Sequence, residues 1–241
     1  MTTLEVLPET GSTNADLAAR IAAGGHVGEG HWLIADRQTA GRGRQGRQWF
    51  DGAGNFMGST FVERRAGDPS PGTLALVAGL AVYEAVAPLI SPPHRPELKW
   101  PNDVLIGEAK LCGILLEAVG AGVIVGIGVN LGAAPDLPDR ATIALAQFGP
   151  APDRDLFAAT LARQFDIEVE RWRTFGLEPL TRRWLLAGHP AGTPLLVGEP
   201  DEEPLRGTFA GLGADGALQL RLADGSTRAI HAGEVRLAHG I

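Results

Sequence analysis

Apolar positions in the first half of the chain come as short runs and one long block. The runs HWLIAD (31–36) and NFMGSTFVE (55–63) have the length of buried strands, whereas GTLALVAGLAVYEAVA (72–87) is long and alanine-rich, as in a buried helix. Residues 97–131 read as successive strands, with a two-residue hairpin turn at Gly107-Glu108. This half of the chain therefore predicts several strands and one buried helix.

Three other segments carry helix signals. Ser12 or Thr13 can cap a helix over about 14–23, and Gly24-Gly25 would end it. Residues 155–175 predict an amphipathic helix, because apolar side chains recur at steps of four and three: Phe157, Leu161, Phe165, Val169 and Trp172. A shorter helix is predicted near 178–187.

After Pro190 the pattern changes to short strands separated by turn residues. The strand segments are TPLLVGE (193–199), LRGTFAGL (205–212), ALQLRLA (217–223), STRAIHA (226–232) and EVRLA (234–238). Turn signals at 213–216 and 224–225 join them as hairpins. We therefore predict two domains, residues 1–188 and residues 189–241, of which the second is a small β-barrel.

Composition narrows the function. The 241 residues carry a formal net charge of −7, which disfavours general binding to nucleic acid. Cys112 is the single cysteine, so the chain forms no internal disulfide and no cysteine-rich zinc site. Without a signal pattern or an apolar run of about 18 residues, we expect a cytoplasmic protein with no membrane span.

The stretch QTAGRGRQGRQWF (38–50) is a local positive site on this acidic chain. Glycines let backbone N–H groups approach an anion, and the guanidinium groups of Arg42, Arg44 and Arg47 offer forked donors to phosphate or carboxylate. The sequence is neither a Walker loop nor a dinucleotide fingerprint, since no helix follows it directly. An exposed flexible turn is the alternative interpretation.

Three more motifs carry candidate chemistry. In KWPNDVLI (99–106), Asp103 precedes an apolar strand, where it could meet a metal–phosphate or simply mark a turn. In AKLCGILLE (109–117), Lys110 either extends to water from an edge strand or shares a cleft with Asp103. GSTNADL (11–17) caps a helix whose free N–H groups could also face an anion or a carbonyl group.

Taken together and in this order, the motifs resemble those of the biotin protein ligases. They are Ser-Thr-Asn (12–14), Gly-Arg-Gly-Arg-x-Gly-Arg (41–47), Lys-Trp-Pro-Asn-Asp (99–103), Lys-Leu-x-Gly-Ile (110–114) and Gly-x-Gly-x-Asn (126–130). The resemblance covers roughly residues 4–240. It implies an α/β (α+β) catalytic domain like that of class II synthetases and lipoyl ligases, with a mixed sheet and flanking helices, then a small SH3-like β domain.

The resemblance also implies roles for individual residues. Lys110 and Arg42 would be catalytic, and Asp103 would contact the metal. Biotin-binding residues would be Ser12, Thr13, Asn14, Gln38, Gly41, Arg42, Gly43, Arg44, Lys110, Gly113 and Gly126. ATP-binding residues would be Arg42, Arg44, Arg47, Trp49, Asn102, Asp103, Lys110 and Asn130. One departure is Cys112, which stands where alanine is more usual and should be tolerated.

The implied reaction has two steps. The carboxylate of biotin attacks the α-phosphorus of ATP, with Mg²⁺, to give biotinyl-5′-AMP, and a lysine amine of a biotin carboxyl carrier protein then displaces AMP. We expect the glycine-hinged loop to be mobile in the free enzyme and to close when ligands bind, with Trp49 or Phe50 as a seal.

Other functions remain open at this point. The motifs also allow a lipoate or octanoate ligase on the same fold, or a biotin-sensing regulator without catalysis. Because the Ser-Thr-Asn motif begins at Ser12, no room is left before it for the DNA-binding domain that repressor members carry. We therefore expect a ligase only, which does not bind DNA or a membrane and can form a homodimer.

Overall fold

The computed structural model describes residues 2–198 and 203–238, which form two β-sheets and four α-helices. The strands of the first sheet are β1 (Thr3–Leu7), β2 (His31–Ala35), β3 (Phe56–Glu63), β4 (Pro96–Lys99), β5 (Asp103–Ile106), β6 (Ala109–Val119) and β7 (Gly122–Val129). The helices are α1 (Thr13–Ala22), α2 (Leu74–Val86), α3 (Arg154–Phe175) and α4 (Leu177–Ala187). These elements match the predicted ones, apart from β1.

The first sheet is mixed and has the order β1-β2-β3-β7-β6-β5-β4. Only β1 and β2 run parallel, and every other neighbouring pair is antiparallel. Strand β1 was not predicted, because its apolar Leu4 and Val6 are the exposed side chains and no inward apolar face marks it. Its pairing with β2 is what makes the segment a strand.

Helices cover both faces of this sheet. On one face α2, α3 and α4 pack over a core that includes the contacts of Trp32 with Phe56 and Phe165, with ring centroids 6.1 and 5.5 Å apart. On the other face α1 places Leu17 against Leu33 and Ile124. Because side chains alternate along a strand, residues in register with Leu33 and Ile124 also face the α1 side.

Helix α2 carries only one charged residue, Glu84, and nearly all of it is buried. With the 3₁₀ turns that flank it, the segment Pro71–Leu89 is long and apolar enough to cross a membrane by length and composition. The sequence pattern had not predicted a segment of that length, because the flanking turns extend it. Within the fold 61% of the apolar window is buried, as is usual for a core helix.

The second sheet is antiparallel throughout and has the order β11-β10-β9-β8-β12. Its strands are β8 (Pro194–Gly198), β9 (Leu205–Leu212), β10 (Leu218–Arg221), β11 (Thr227–Ile230) and β12 (Glu234–Leu237). This arrangement is consistent with the predicted SH3-like β domain. Position 199, which ends the first predicted strand segment, and the chain ends at 1 and 241 lie outside the described residues.

Buried contacts join the two sheets. The indole Nε1 of Trp100 donates to the carbonyl of Gly216 at 3.1 Å, and the rings of Trp184 and Phe209 lie 6.4 Å apart. The turn between β9 and β10 therefore lies against the β4–β5 turn, which carries the Lys-Trp-Pro-Asn-Asp motif.

Candidate active site

A cavity of about 750 Å³ opens on the α1 face of the first sheet. Its floor comes from β3, β6 and β7, and its walls from the start of α1, the arginine loop (residues 41–50), the β4–β5 turn, the loop 135–142 and the start of β12. All the site residues predicted from the sequence line this cavity except Gly41. Gly41 is buried behind the wall, where its carbonyl accepts the N–H of Trp49 at 2.9 Å.

Glycines keep the floor low so that other side chains can lie across it. A Cβ at Gly126 would come 2.9 Å from Asn14 Cγ, and one at Gly113 would come 2.8 Å from the Trp49 ring. Gly128 is similarly covered, since its Cβ would lie 2.5 Å from Trp49 Cζ2. Trp49 therefore forms an inner wall of the cavity, not the outer seal that we had expected.

Polar groups gather at one end of the floor. Ser12 caps α1, and its hydroxyl accepts the N–H of Ala15 at 3.5 Å. The N–H of Thr13 donates to Gln38 Oε1 at 2.8 Å, and the Thr13 hydroxyl lies 2.6 Å from that of Ser59. Ser12, Thr13, Gln38 and Ser59 are all buried, which makes this end a buried polar socket.

Two lysines share one carboxylate at the other end. Lys110 Nζ donates to Asp103 Oδ1 at 2.6 Å, and Lys99 Nζ donates to Asp103 Oδ2 at 3.3 Å. Burial by itself would raise the pKa of Asp103, but the charges of Lys110 and Lys99 outweigh it and the pKa is lowered. Lys110 also lies 5.9 Å from the centre of the Trp49 ring. It is thus a fixed cation within the cavity and not an edge-strand lysine in water.

The arginine loop folds back on itself over the cavity. Arg42 pairs with Gln48 as an isolated β-bridge, and the N–H of Gly43 donates to the carbonyl of Arg47 at 2.7 Å. The guanidinium of Arg44 donates to Asn102 Oδ1 at 3.1 Å and to the carbonyl of Gly233, just before β12, at 3.2 Å.

Arg47 forms a two-bond ion pair with Glu234, one bond of which is 2.9 Å long. The hydrogen bond from Arg47 is the main cause of the lowered pKa of Glu234. By contrast, the side chain of Arg42 is exposed at the cavity mouth and has no ion pair within residues 2–198 and 203–238. Of the three loop arginines, Arg42 is therefore the one left to meet an incoming anion.

The two predicted asparagines are held by the backbone. Asn102 Nδ2 donates to the carbonyl of Ile114 at 2.7 Å, and Asn130 Nδ2 donates to the carbonyl of Ile143 at 3.1 Å. Asn130 Oδ1 is buried and has no partner in the described part of the chain, so it is the group that a ligand could reach.

Asp103 does not fit a resident metal site. Mg²⁺ is usually held by one or two carboxylates together with substrate phosphates, yet both oxygens of Asp103 already face ammonium groups. Within the described residues, no three His, Cys, Asp or Glu side chains group as metal ligands.

Several lining residues were not predicted. Lys99, Ser59, Arg140 and Glu234 all face the cavity. A polar pair inside an otherwise apolar strand marks Ser59, since buried hydroxyls need partners. No local signal marks Glu234, which lies 187 residues from its partner Arg47. Cys112 is buried, and burial raises the pKa of its thiol.

The fold and cavity define a class of ligases that join small acids to proteins. The model of the biotin/lipoate A/B protein ligase family matches residues 26–133, and that of the biotin protein ligase C terminal domain matches residues 197–237. A biotin–[acetyl-CoA-carboxylase] ligase of Paracoccus denitrificans is 38% identical over 90% of this chain and 93% of its own length. One from Mycobacterium tuberculosis is 39% identical over 96% of this chain and 88% of its own.

Solved structures agree with this assignment. The biotin protein ligase of Aquifex aeolicus in complex with biotin and ATP superposes with a TM-score of 0.84, at 27% identity, over all of both chains. The chain belongs to the biotin protein ligase family.

Proposed function

We infer that the chain is a biotin–[acetyl-CoA-carboxylase] ligase. It activates biotin with ATP to biotinyl-5′-AMP and transfers the biotinyl group to a lysine of a carrier protein. The relatives that bear this name match nearly the whole chain, and a structural neighbour holds biotin and ATP. The match to the biotin protein ligase C terminal domain favours biotin over lipoate.

The first step brings a carboxylate to a polyanion. Two unit charges about 4 Å apart repel by roughly 4 kcal/mol at an effective dielectric constant of about 20. The cavity opposes this repulsion with six cationic side chains against four carboxylates, although the whole chain carries −7. Lys110 and Lys99 are already oriented by Asp103, so little reorganisation is needed when charge develops at phosphorus.

The socket formed by Thr13, Gln38 and Ser59 suits the cyclic urea of biotin, which both donates and accepts hydrogen bonds. Biotin placed there would direct its carboxylate along the glycine floor toward Lys110, beside the Trp49 ring. Arg42, at the mouth of the cavity, would contact the phosphates, and Asn130 Oδ1 would accept from the nucleotide.

In the second step the carrier amine attacks the acyl carbon of the mixed anhydride. A C–N bond forms, the bond to the phosphate oxygen breaks, AMP leaves with the electron pair, and the amine loses a proton. The intermediate has to be kept from water until then. The arginine loop and its contacts with Asn102, Gly233 and Glu234 cover it.

The observation that carries this proposal is a cavity that joins a buried polar socket to a lysine-rich end. We test it with purified protein, biotin and MgATP by biotin-dependent pyrophosphate exchange, followed by mass spectrometry of an added biotin carboxyl carrier domain. One added biotinyl group per carrier is expected. Neither exchange nor modification, or exchange with lipoate in place of biotin, contradicts the proposal.

Three finer points belong to the proposal. The chain divides into domains at residues 188 and 189, close to the isolated bridge between Leu98 and Gly188. The reaction takes place in the cytoplasm, where it consumes ATP. Dimerisation would use the exposed edge strand β1.

A further inference from the structure

A chain of hydrogen bonds leads from the polar socket out to the protein surface. The hydroxyls of Thr13 and Ser59 lie 2.6 Å apart, the Ser59 hydroxyl donates to Asn14 Oδ1 at 2.6 Å, and Asn14 Nδ2 donates to Glu117 Oε2 at 2.5 Å. Thr13, Asn14 and Ser59 are buried and line the cavity. Glu117, on β6, is exposed and does not line it.

The carboxylate at the outer end determines the direction of every bond. An ionised carboxylate only accepts hydrogen bonds, so Glu117 requires the NH₂ group of Asn14 to point outward. Asn14 Oδ1 then points inward and accepts the single hydroxyl proton of Ser59. Gly126 supports this placement, because any Cβ there would collide with the Asn14 amide.

The same reasoning sets the direction of the hydrogen bond between Thr13 and Ser59. Two hydroxyl oxygens 2.6 Å apart need a proton between them, and Ser59 has already donated its own. Thr13 must therefore donate to Ser59. Its oxygen also lies 3.1 Å from Gln38 Oε1, but no proton is left for that contact, and Gln38 Oε1 already receives the N–H of Thr13.

We propose that Glu117 is a positioning residue that sets the polarity of the biotin socket. With Glu117 in place, the Thr13 hydroxyl offers only lone pairs to a ligand, and Gln38 keeps its Nε2 amide as the group that can donate. An N–H of a cyclic urea would meet the Thr13 oxygen, and the urea carbonyl would meet the Gln38 amide. This inference rests on the proposed function, because it takes biotin as the ligand.

Exposure of Glu117 is useful for this role. A carboxylate in contact with water carries its charge at little cost in free energy, whereas burial of a charged carboxylate is costly. Glutamine at the same place could accept from Asn14 or donate to it, and the chain would then have two directions of similar energy. The structure thus places an unambiguous acceptor outside the site to orient neutral groups inside it.

The decisive experiment exchanges the amide of Asn14 and the carboxylate of Glu117, which form the outermost hydrogen bond. In the variant Asn14→Asp, the carboxylates at positions 14 and 117 would face each other across 2.5 Å. This repulsion should raise the KM for biotin roughly 5- to 150-fold. In the double variant Asn14→Asp with Glu117→Gln, the new amide at position 117 donates to one oxygen of the new carboxylate at position 14. The other oxygen of that carboxylate accepts from Ser59. The repulsion between positions 14 and 117 is removed while Ser59 still donates to position 14, so the KM for biotin should return to within about threefold of the wild-type value.

Position 14 can accept the charge. It is the second residue of α1, where the helix dipole favours an acidic side chain. If Asn14→Asp fails to fold, Glu117→Ala at the exposed end decides the question. It should raise the KM for biotin about 5-fold or more, while kcat and the KM for ATP change less than about twofold. Glu178→Gln, at an exposed helix position, is the matched control and should change none of these values.

The outcomes separate the two proposals. Wild-type protein that supports no biotin-dependent exchange refutes the proposed function itself. If the wild type is active but Glu117→Ala leaves the KM for biotin unchanged, or the double variant is no better than Asn14→Asp, the positioning role is wrong while the ligase function stands. A parallel loss of kcat and melting temperature would indicate a structural role only, and would also refute the inference.

Discussion

Replacing Gly128 by alanine puts a methyl group into space that the Trp49 ring occupies. The new Cβ would lie 2.5 Å from Trp49 Cζ2 and closer still to Cε2, so the ring has to move by more than about 0.9 Å to reach an ordinary contact of 3.4 Å. Strand β7 cannot give way, because Gly128 is paired with Met57 on one side and with Gly113 on the other. The arginine loop, which carries Trp49, has to move instead.

The cost follows from this geometry. Overpacking by one methyl group in a closely packed site costs about 1–3 kcal/mol. Because the loop takes up the strain, the cost should fall on closing the loop over the cavity and not on global unfolding. A penalty of this size corresponds to roughly 5- to 150-fold weaker apparent binding of biotin.

Biotin-dependent pyrophosphate exchange measures this effect directly. We expect the KM for biotin to rise by that factor, while the melting temperature measured by calorimetry changes by less than about 3 °C. Gly149→Ala is the control, because no atom lies within 4 Å of a Cβ at that position. It should leave both the KM and the melting temperature unchanged.

A second variant shows whether the Trp49 ring is the cause. In a Trp49→Leu background the smaller side chain leaves room for the methyl group, so adding Gly128→Ala should have little further effect. Two results would refute this reasoning: an unchanged KM for biotin in Gly128→Ala, or an effect of equal size in both backgrounds.

Three further predictions concern charge. Lys110→Ala should lower the rate of biotin-dependent pyrophosphate exchange by about 10²–10³-fold, because a fixed cation is lost where negative charge develops; a loss below about tenfold would argue against this role. Glu234→Gln removes half of the ion pair with Arg47, so trypsin should cut the arginine loop faster in the free protein, and an unchanged cleavage rate would mean that the pair does not hold the loop. Burial lowers the pKa of His189, although Glu97 opposes the shift. The free energy of unfolding should therefore keep its full value above the unfolded-state pKa of about 6.5 and fall as the pH drops toward the lower folded-state pKa. His189→Gln should flatten this part of the unfolding free energy curve, and an identical curve would contradict it.

Local patterns predicted most of the fold. The apolar face of residues 155–175 is buried in α3 as expected, because a helical period of about 3.6 is a short-range property that the sequence displays directly. Strand β1 escaped prediction for the opposite reason. Its exposed Leu4 and Val6 give no inward pattern, and only pairing with β2 makes it a strand.

The candidate site likewise has features that the sequence predicted and features that only the tertiary structure revealed. The motifs identified the cavity residues by type, because glycines near a ligand, forked cations and a helix cap each follow from local chemistry. They did not reveal that Trp49 forms an inner wall or that Asp103 is already held by two lysines. Those facts depend on how strands β5, β6 and β7 lie side by side.

The amino-acid sequence by itself determined which chemical groups are present, where most helices and strands lie, and which backbone positions tolerate close approach. The tertiary structure decided which group meets which. Arg47 is hydrogen-bonded to Glu234, which lies 187 residues away in the sequence, and Asn14 to Glu117, which lies 103 residues away. Such pairs depend on a few ångströms of separation, and that separation is set by the packing of the whole chain, which no local stretch of sequence specifies.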